Sequence, residues 1–338
     1  MALRPCFPTT LSLGAAFVPV ATCIKPKLFP FRNPRTFLNT SSTEPRFHKP
    51  LKSRVPSRSW DSHMHVVEPR YPVVANAAYK PTPHTISDAI AFESSLGIEN
   101  VVLVQPSIYG FDNSCLLDAL RLIGPSRGRG VVVIEPANTE PATLREWHSL
   151  GVRGVRVNFK SSGQVPTRDE LRRILSEQAQ LIRPLGWVIQ IHISMSAIPL
   201  LEEIISQLGV KVCIDHFGGP ETHQVKSEQK ASFDPYSLPG FSSLIALLKA
   251  GRTYVKVSAP YRLSKDEGFR DLEILIREFL QEAPNRVLFA TDWPHTRFTG
   301  IDIGPFTEQC LRICGSEALA DRVFRLNAEE FMGSSLDI

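Results

Sequence analysis

Long hydrophobic runs are missing from this 338-residue chain. No stretch nears the roughly 18 apolar residues of a membrane span without a charge or a proline, which rules out an ordinary transmembrane helix. Cysteine is sparse and scattered. The six residues, at 6, 23, 115, 213, 310 and 314, form no CxxC pair and no dense framework, against both a disulfide scaffold and a structural zinc ribbon. Acid is nearly absent from residues 1–59, where ten Lys/Arg face Glu44 alone, a net +9, while 60–338 carries 28 basic and 33 acidic groups, a net −5. The overall +4 is therefore no argument for nucleic acid, because the positive charge sits on a tail and not along a groove. Apolar residues make up 43% of the chain, so a core can form, and the length suits one large domain with an appendage or two medium ones.

Residues 1–59 hold nine of the 27 prolines and twelve Ser/Thr, with no apolar periodicity lasting two turns. Arg- and Ser/Thr-rich and poor in acid, they read as a disordered organellar transit peptide, mitochondrial ahead of plastid. Arg35-Thr36-Phe37-Leu38 before a Ser/Thr cluster resembles a presequence processing site. The alternative is a disordered leader with no address, or a mispredicted start codon, on a cytoplasmic protein.

From residue 60 onward, short apolar runs rich in β-branched residues alternate with amphipathic stretches. Strands are expected over 60–66, 100–105, 130–135, 154–159, 187–192, 211–216, 253–258 and 286–292. Helices are expected over 87–96, 113–123, 143–150, 168–182, 196–208, 238–248 and 266–280, several ending at glycine. In the first of them Ile90, Glu93 and Ser94 are read as lying opposite the apolar face. Continuous apolar strands between helices indicate a parallel sheet, and eight units over 60–338 match a single-domain α/β fold, the (β/α)8 or TIM barrel. The structural alternative, a doubly wound open sheet, usually carries a glycine-rich turn after its first strand. Here that position reads Val67-Glu68-Pro69.

In such a barrel the chemistry collects at the C-terminal strand ends. Strand one ends Asp61-Ser62-His63-Met64-His65, strand four carries Arg156 and Asn158, strand five ends at His192, strand six at Asp215-His216, and strand eight at Thr291-Asp292-Trp293-Pro294-His295. Alternation along a strand points His63 and His65 the same way, where they can hold a metal or a carbonyl oxygen. Hydrolysis of an ester needs an activated water, an oxyanion stabiliser and a substrate anchor. A carboxylate among imidazoles with nearby guanidinium forks provides these. The competing readings are structural: histidines that fill a barrel, a buried salt bridge for Arg156, a solvated charge for Arg262, and a carboxylate at Asp292 that orients His63 or His65.

The runs DSHMHV, VQPSIYGFDN, GVRGVRVNF, IDHFGGP, PYRLS and TDWPH resemble the amidohydrolase superfamily, in its branch of lactonases acting on 2-pyrone-4,6-dicarboxylate, in order from residue 60 to about 332. The resemblance implies that Asp292 is the general base for water and that His63, His65 and His216 polarise the lactone carbonyl. It also implies that Arg156 and Arg262 bind substrate carboxylates, with Ser107 and Tyr79 as further substrate contacts. Two departures stand out. Lys160-Ser161-Ser162-Gly163 replaces a second arginine after strand four. His192 stands among the substrate-binding candidates where that lactonase has a tyrosine and many metal-bearing relatives a histidine. The expected cofactor is thus none or one divalent metal, zinc first, on His63, His65, His192 and Asp292.

The expected function is a hydrolase that opens a cyclic ester. Its partner is a small-molecule anionic lactone or related acid, with no nucleic acid and no membrane, and homo-oligomerisation is left open. Metal-dependent decarboxylation of an aromatic or muconate-type acid is the enzymatic alternative, and a catalytically inactive binding barrel the non-enzymatic one. Cys310 and Cys314 read as core, His148 and His223 as exposed, His295 as a neighbour of the site, and 221–235 as a mobile loop over the mouth.

Overall fold

None of the eight strands in the computed structural model exceeds seven residues. The structure describes residues 49–75, 77, 79, 82–160, 166–222 and 233–333. The strands are β1 Trp60–Met64, β2 Asn100–Val104, β3 Gly128–Val132, β4 Val152–Asn158, β5 Val188–His192, β6 Val212–Ile214, β7 Thr253–Val257 and β8 Val287–Phe289. They pair in parallel in sequence order, each with the next, and a bridge from Met64 to Trp293 closes β1 onto the chain beyond β8. The expected eight-stranded barrel is therefore present. The expected strands six and eight are cut short, because His216 and Asp292 take positive φ (51° and 63°), which a strand ladder does not accommodate.

The helices on the outside are set by local chemistry. Both α1 Ile86–Leu96 and α4 Arg168–Ile182 begin on capping boxes, Thr85 with Asp88 and Thr167 with Glu170, which satisfy the first free N–H groups. Helix α1 ends at Gly97, whose φ of 86° suits glycine and whose missing Cβ admits the Lys52 carbonyl. Residues 51–59, expected as part of the leader, thus lie against the barrel body, with Val55 buried and Arg54 bonded to Glu308 at 2.6 Å. The rest of the transit-peptide reading, residues 1–48, lies outside the described residues, as do Ser161-Ser162-Gly163, His223 and most of the expected mouth loop. Among the described residues no helix is long and apolar enough to cross a membrane.

The barrel interior changes character along the strands. Its lower layers hold Trp60, Val102, Val131, Val188, Cys213, Tyr254 and Leu288, joined from below by Phe331 and Met332 of the C-terminal helix Asn327–Met332. Two residues further along β5 and β7 the inward positions become Gln190 and Lys256, both fully buried. A second, larger apolar core lies between sheet and helices and includes the free thiols Cys310 and Cys314, as expected.

Candidate active site

A cavity of about 550 Å³ opens at the C-terminal ends of the strands. Asp292, His65, His192 and His216 line it together with Arg156, Arg262, Lys160, Arg297, Ser107 and Tyr79, so these candidates share one mouth. His63 sits beneath, fully buried. The ladder of β1 shifts register between Asp61 and Met64, so the first strand does not keep simple alternation. Six of the eight non-glycine residues with positive φ in the described structure cluster at this rim: His216, Phe217, Ala259, Asp292, His295 and Arg297. Such conformations cost energy and persist where surroundings enforce them, often at functional sites.

Asp292 is the focus of the geometry. Its Oδ1 lies 3.7 Å from His63 Nε2, 3.7 Å from His65 Nε2 and 3.9 Å from His216 Nε2. Its Oδ2 accepts hydrogen bonds from Tyr261 Oη at 2.6 Å and Arg262 Nε at 2.8 Å. Burial acts to raise the carboxyl pKa, but His216, the Arg262 guanidinium and the other imidazoles outweigh it and hold Asp292 below the usual carboxylate range. Asp292 is therefore an anion whose one oxygen is held and whose other is presented to three imidazoles.

The far ring nitrogen of His65 fixes what that imidazole presents. His65 Nδ1 lies 2.7 Å from the Val104 carbonyl oxygen, which can only accept, so Nδ1 carries the proton and neutral His65 turns a lone pair on Nε2 toward Asp292. Burial holds His65 neutral, with its pKa lowered to about 4. His63 Nδ1 faces Asp215 Oδ1 at 3.3 Å and the donors Lys256 Nζ and Gln190 Nε2, each at 3.4 Å. The order beneath it is directional: Lys256 Nζ donates to Gln190 Oε1 at 2.6 Å and Gln190 Nε2 to Asp215 Oδ2 at 2.9 Å. His216 Nδ1 shares a hydrogen bond of 2.8 Å with Ser258 Oγ. Burial lowers the pKa of His63, His216 and His192 as well.

The lone pair that neutral His65 turns on the carboxylate oxygen repels it unless a cation or a proton lies between them. Ligand atoms of His63, His216 and Asp292 all lie within 4.8 Å of one another, and His63 Nε2 is buried without a hydrogen-bond partner. This donor set fits a divalent cation. Of the four ligands expected from the sequence, His63 and Asp292 belong to this set and His65 and His192 do not; His216 joins it, its ring 5.0 Å from that of His192, whose buried Nδ1 has no partner.

The two arginines differ. Arg156 is buried, donates from Nη1 to the Gln105 carbonyl at 2.7 Å, has no ion pair among the described residues, and leaves Nε unpartnered. It is not the buried salt bridge of the structural reading. Arg262 is engaged: Nε on Asp292 and Nη2 on Thr296, at 2.9 Å to the carbonyl and 3.0 Å to Oγ1. It is therefore neither a solvated charge nor a wholly free fork. His295 packs edge-on to Tyr261 at 5.1 Å, beside the site. His148, expected exposed, is half-buried and accepts Trp187 Nε1 at 2.8 Å. Sequence reading missed Tyr261, Gln190 and Lys256. The Tyr-Arg pair at 261–262 was visible, but nothing in the sequence marked the tyrosine as a partner of Asp292.

A (β/α)8 barrel with one carboxylate among strand-end imidazoles defines the class of hydrolytic barrels built to activate a water or hold a divalent ion. Residues 60–333 match the Amidohydrolase family model, and the chain belongs to that family. It is 32% identical to a 4-sulfomuconolactone hydrolase from Hydrogenophaga intermedia, across 86% of this chain and 93% of that one. It is also 32% identical to a 2-pyrone-4,6-dicarboxylate hydrolase from Comamonas testosteroni, across 72% and 78%. A solved Pseudomonas putida structure, provisionally assigned as a 2-pyrone-4,6-dicarboxylic acid hydrolase, superposes with a TM-score of 0.70 at 30% identity, covering 83% of this chain and 99% of that one.

Proposed function

We propose that this protein hydrolyses a cyclic ester carrying anionic groups. The observation that carries the reading is Asp292, an ionised carboxylate with Oδ2 held by Tyr261 and Arg262 and Oδ1 turned to three neutral imidazoles. A water at Oδ1 attacks the carbonyl carbon and gives its proton to Asp292. As the tetrahedral adduct collapses, the ring C–O bond breaks and Asp292 returns the proton to the departing oxygen. Residues His63, His216 and Asp292 would hold a divalent cation, with zinc suited to their nitrogen and oxygen donors and His65 Nε2 beside them, 3.7 Å from Asp292 Oδ1. Such a cation supplies Lewis-acid polarisation of the carbonyl and a more acidic water. The tautomer of His65 favours that arrangement over direct donation from neutral His65 to the carbonyl, because its only N–H is committed to Val104.

Arg156 anchors a substrate carboxylate or sulfonate through its free edge. Lys160 and Arg297 extend the positive lining. Both curated relatives are named for lactones that carry such anions, which supports the same class here. The test is a panel of lactones, with and without acidic substituents, assayed alongside metal analysis of the purified protein. Ring opening of anionic lactones alone is expected. Release of CO₂ without ring opening, or equal turnover of neutral lactones, sinks the reading. For the leader we propose an organellar address, supported by its composition. N-terminal sequencing of native protein should begin well after Met1, and a native chain starting at Met1 counts against it.

A further inference from the structure

Phe298 is an apolar residue set into a largely cationic mouth. It is 41% exposed, and among the described residues it is the one large exposed hydrophobic side chain that also lines the active-site cavity. A lone apolar group on a surface is ordinary, but this one is held in place. Its N–H donates to the His295 carbonyl at 3.0 Å, in a turn where His295 and Arg297 take positive φ of 58° and 69°. Its ring meets the Tyr261 ring edge-on at 4.9 Å, and the Arg262 guanidinium lies 5.1 Å from the centre of each. Arg262 is thus stacked between two aromatic rings while Asp292 and Thr296 hold its Nε and Nη2. These contacts fix the Phe298 ring, so its exposed surface is a prepared wall and not a side chain sweeping through solvent.

Topology sets what that wall faces. The strands pair in sequence order and β1 closes onto the chain beyond β8, so β4 and β8 stand across the barrel from each other. The end of β4 carries Arg156, with Lys160 two residues beyond the strand. The chain after β8 carries Phe298 and the chain after β7 carries Leu263, and all four residues line the cavity. The cations on the Phe298 side do not make that side a second anion site. Arg262 is engaged as above, and Arg297 is exposed, its guanidinium 5.6 Å from the centre of the Tyr79 ring. Asp292, met by imidazoles from the ends of β1 and β6 and by Arg262 after β7, marks the centre on which the reacting carbonyl sits. The mouth is therefore two-ended, with the free edge of Arg156 on one side and an apolar wall on the other. Its volume of about 550 Å³ lies in the range that takes a drug-sized ligand, more than a lactone ring with one small anion fills.

We infer that Phe298 and Leu263 form an apolar subsite, and that the substrate is an anionic lactone bearing an aryl group on the side of its ring away from the anion. The anion meets Arg156, the aryl group stacks on Phe298, and the two ends together place the carbonyl at Asp292. A flat ring suits this wall because a fixed aromatic face adds offset stacking to the area it buries, whereas an aliphatic arm gains burial alone. The inference deepens the proposed hydrolase function and rests on it for the kinetic test only.

The binding test needs no turnover. Calorimetry on the full chain compares phenylalkanoates, from phenylacetate to 5-phenylpentanoate, with alkanoates of the same chain length. Each pair shares its carboxylate, so the anchor cancels and the difference reads the aryl group. The parent should bind at least one phenylalkanoate about tenfold tighter than its alkanoate, Phe298→Ala should lose most of that gain, and Phe298→Tyr should keep it. No gain in the parent, or the same gain in Phe298→Ala, would overturn the inference. If Phe298→Ala does not fold, Phe298→Leu, which keeps bulk without an aromatic face, takes its place. The kinetic test uses an anionic lactone that the parent opens and its phenyl-substituted counterpart. The ratio of their kcat/KM values, phenyl-bearing over unsubstituted, should fall about tenfold in Phe298→Ala, beyond any loss the two share through Arg262. An unchanged ratio would reduce Phe298 to a cap on Arg262 and sink the subsite while the hydrolase reading stands. A parent that opens no anionic lactone ends the hydrolase reading, and the binding comparison still decides the subsite.

Discussion

Two aspartates at the closure of the barrel, Asp292 beyond β8 and Asp61 in β1, end with opposite surroundings. Asp292 is met by a guanidinium, a phenol and three imidazoles, and stands as an anion on the cavity wall. Asp61, on the helix side, is met by two amides, a hydroxyl and a second carboxyl, and its pKa is raised to about 6, burial leading and the hydrogen bonds from Thr291 and His63 opposing. Burial alone raises both. What separates them is the neighbours: cationic and donor groups around Asp292 overcome the loss of water, whereas at Asp61 a few neutral donors only moderate it. One carboxylate is kept ready to exchange a proton, and the other is built into the wall.

The sharpest way to break the contrast is Asp292→Asn. A positioned base is worth about 10²–10⁴ in rate, so kcat should fall by that much with the fold intact, and the acidic limb of the pH profile should vanish with it. In the parent that limb should lie below the ordinary carboxylate range, because Asp292 is held ionised. A variant that keeps both rate and limb transfers the role of base to a histidine. Next in size is Arg156→Ala. Losing a charge-assisted hydrogen bond costs about 1.5–3 kcal/mol, or roughly 10–100-fold in KM for an anionic substrate. Arg262→Gln should instead lower kcat as well, since Arg262 holds Asp292; a pure KM effect would show that the pair is incidental.

A fourth measurement addresses Glu93, on the helix side, through stability. A carboxyl whose pKa is raised by folding is stabilising to the native state below its unfolded pKa and costs stability as pH climbs from there toward its folded value. Glu93→Gln removes that cost, so its Tm advantage over the parent should widen as pH rises from the ordinary glutamate range. A constant gap would mean that Glu93 does not change its proton affinity on folding. The smallest effect should come from the exposed Arg54–Glu308 pair, with side chains 30% and 52% exposed. Breaking it by Glu308→Gln should cost no more than about 1 kcal/mol in chemical denaturation, and a larger loss would make residues 51–59 a structural part of the barrel.

Much of this was legible in the sequence. The eight runs of β-branched residues name the strands, and the polar residues at their ends name His63, His65, His192, His216, Asp292 and Arg156 as neighbours, because a barrel turns every strand end toward one mouth. The supporting residues were not. Glu93 looks solvent-facing, yet it is buried beside Asp61, which lies 32 positions earlier on another element. Lys256 in TYVKV looks like an outward strand residue, and only the convergence of β5, β6 and β7 reveals the carboxylate and amide that receive it. Asp292 was placed in a strand, since a sequence does not display the sign of φ. Local pattern announces which surface a residue faces on average; it does not announce a partner that tertiary structure brings to it.

Phe331 and Met332 fill the lower end of the barrel, where they meet Trp60, Tyr254 and their neighbours. This makes the last helix the final part of the barrel's own interior to be synthesised. A nascent chain with all eight strands already translated still has an open apolar end until residues 327–332 emerge from the ribosome. Until then that end is a surface for chaperones or for other unfinished chains, so ending the chain before residue 327 should reduce soluble yield before it touches the mouth at the opposite end.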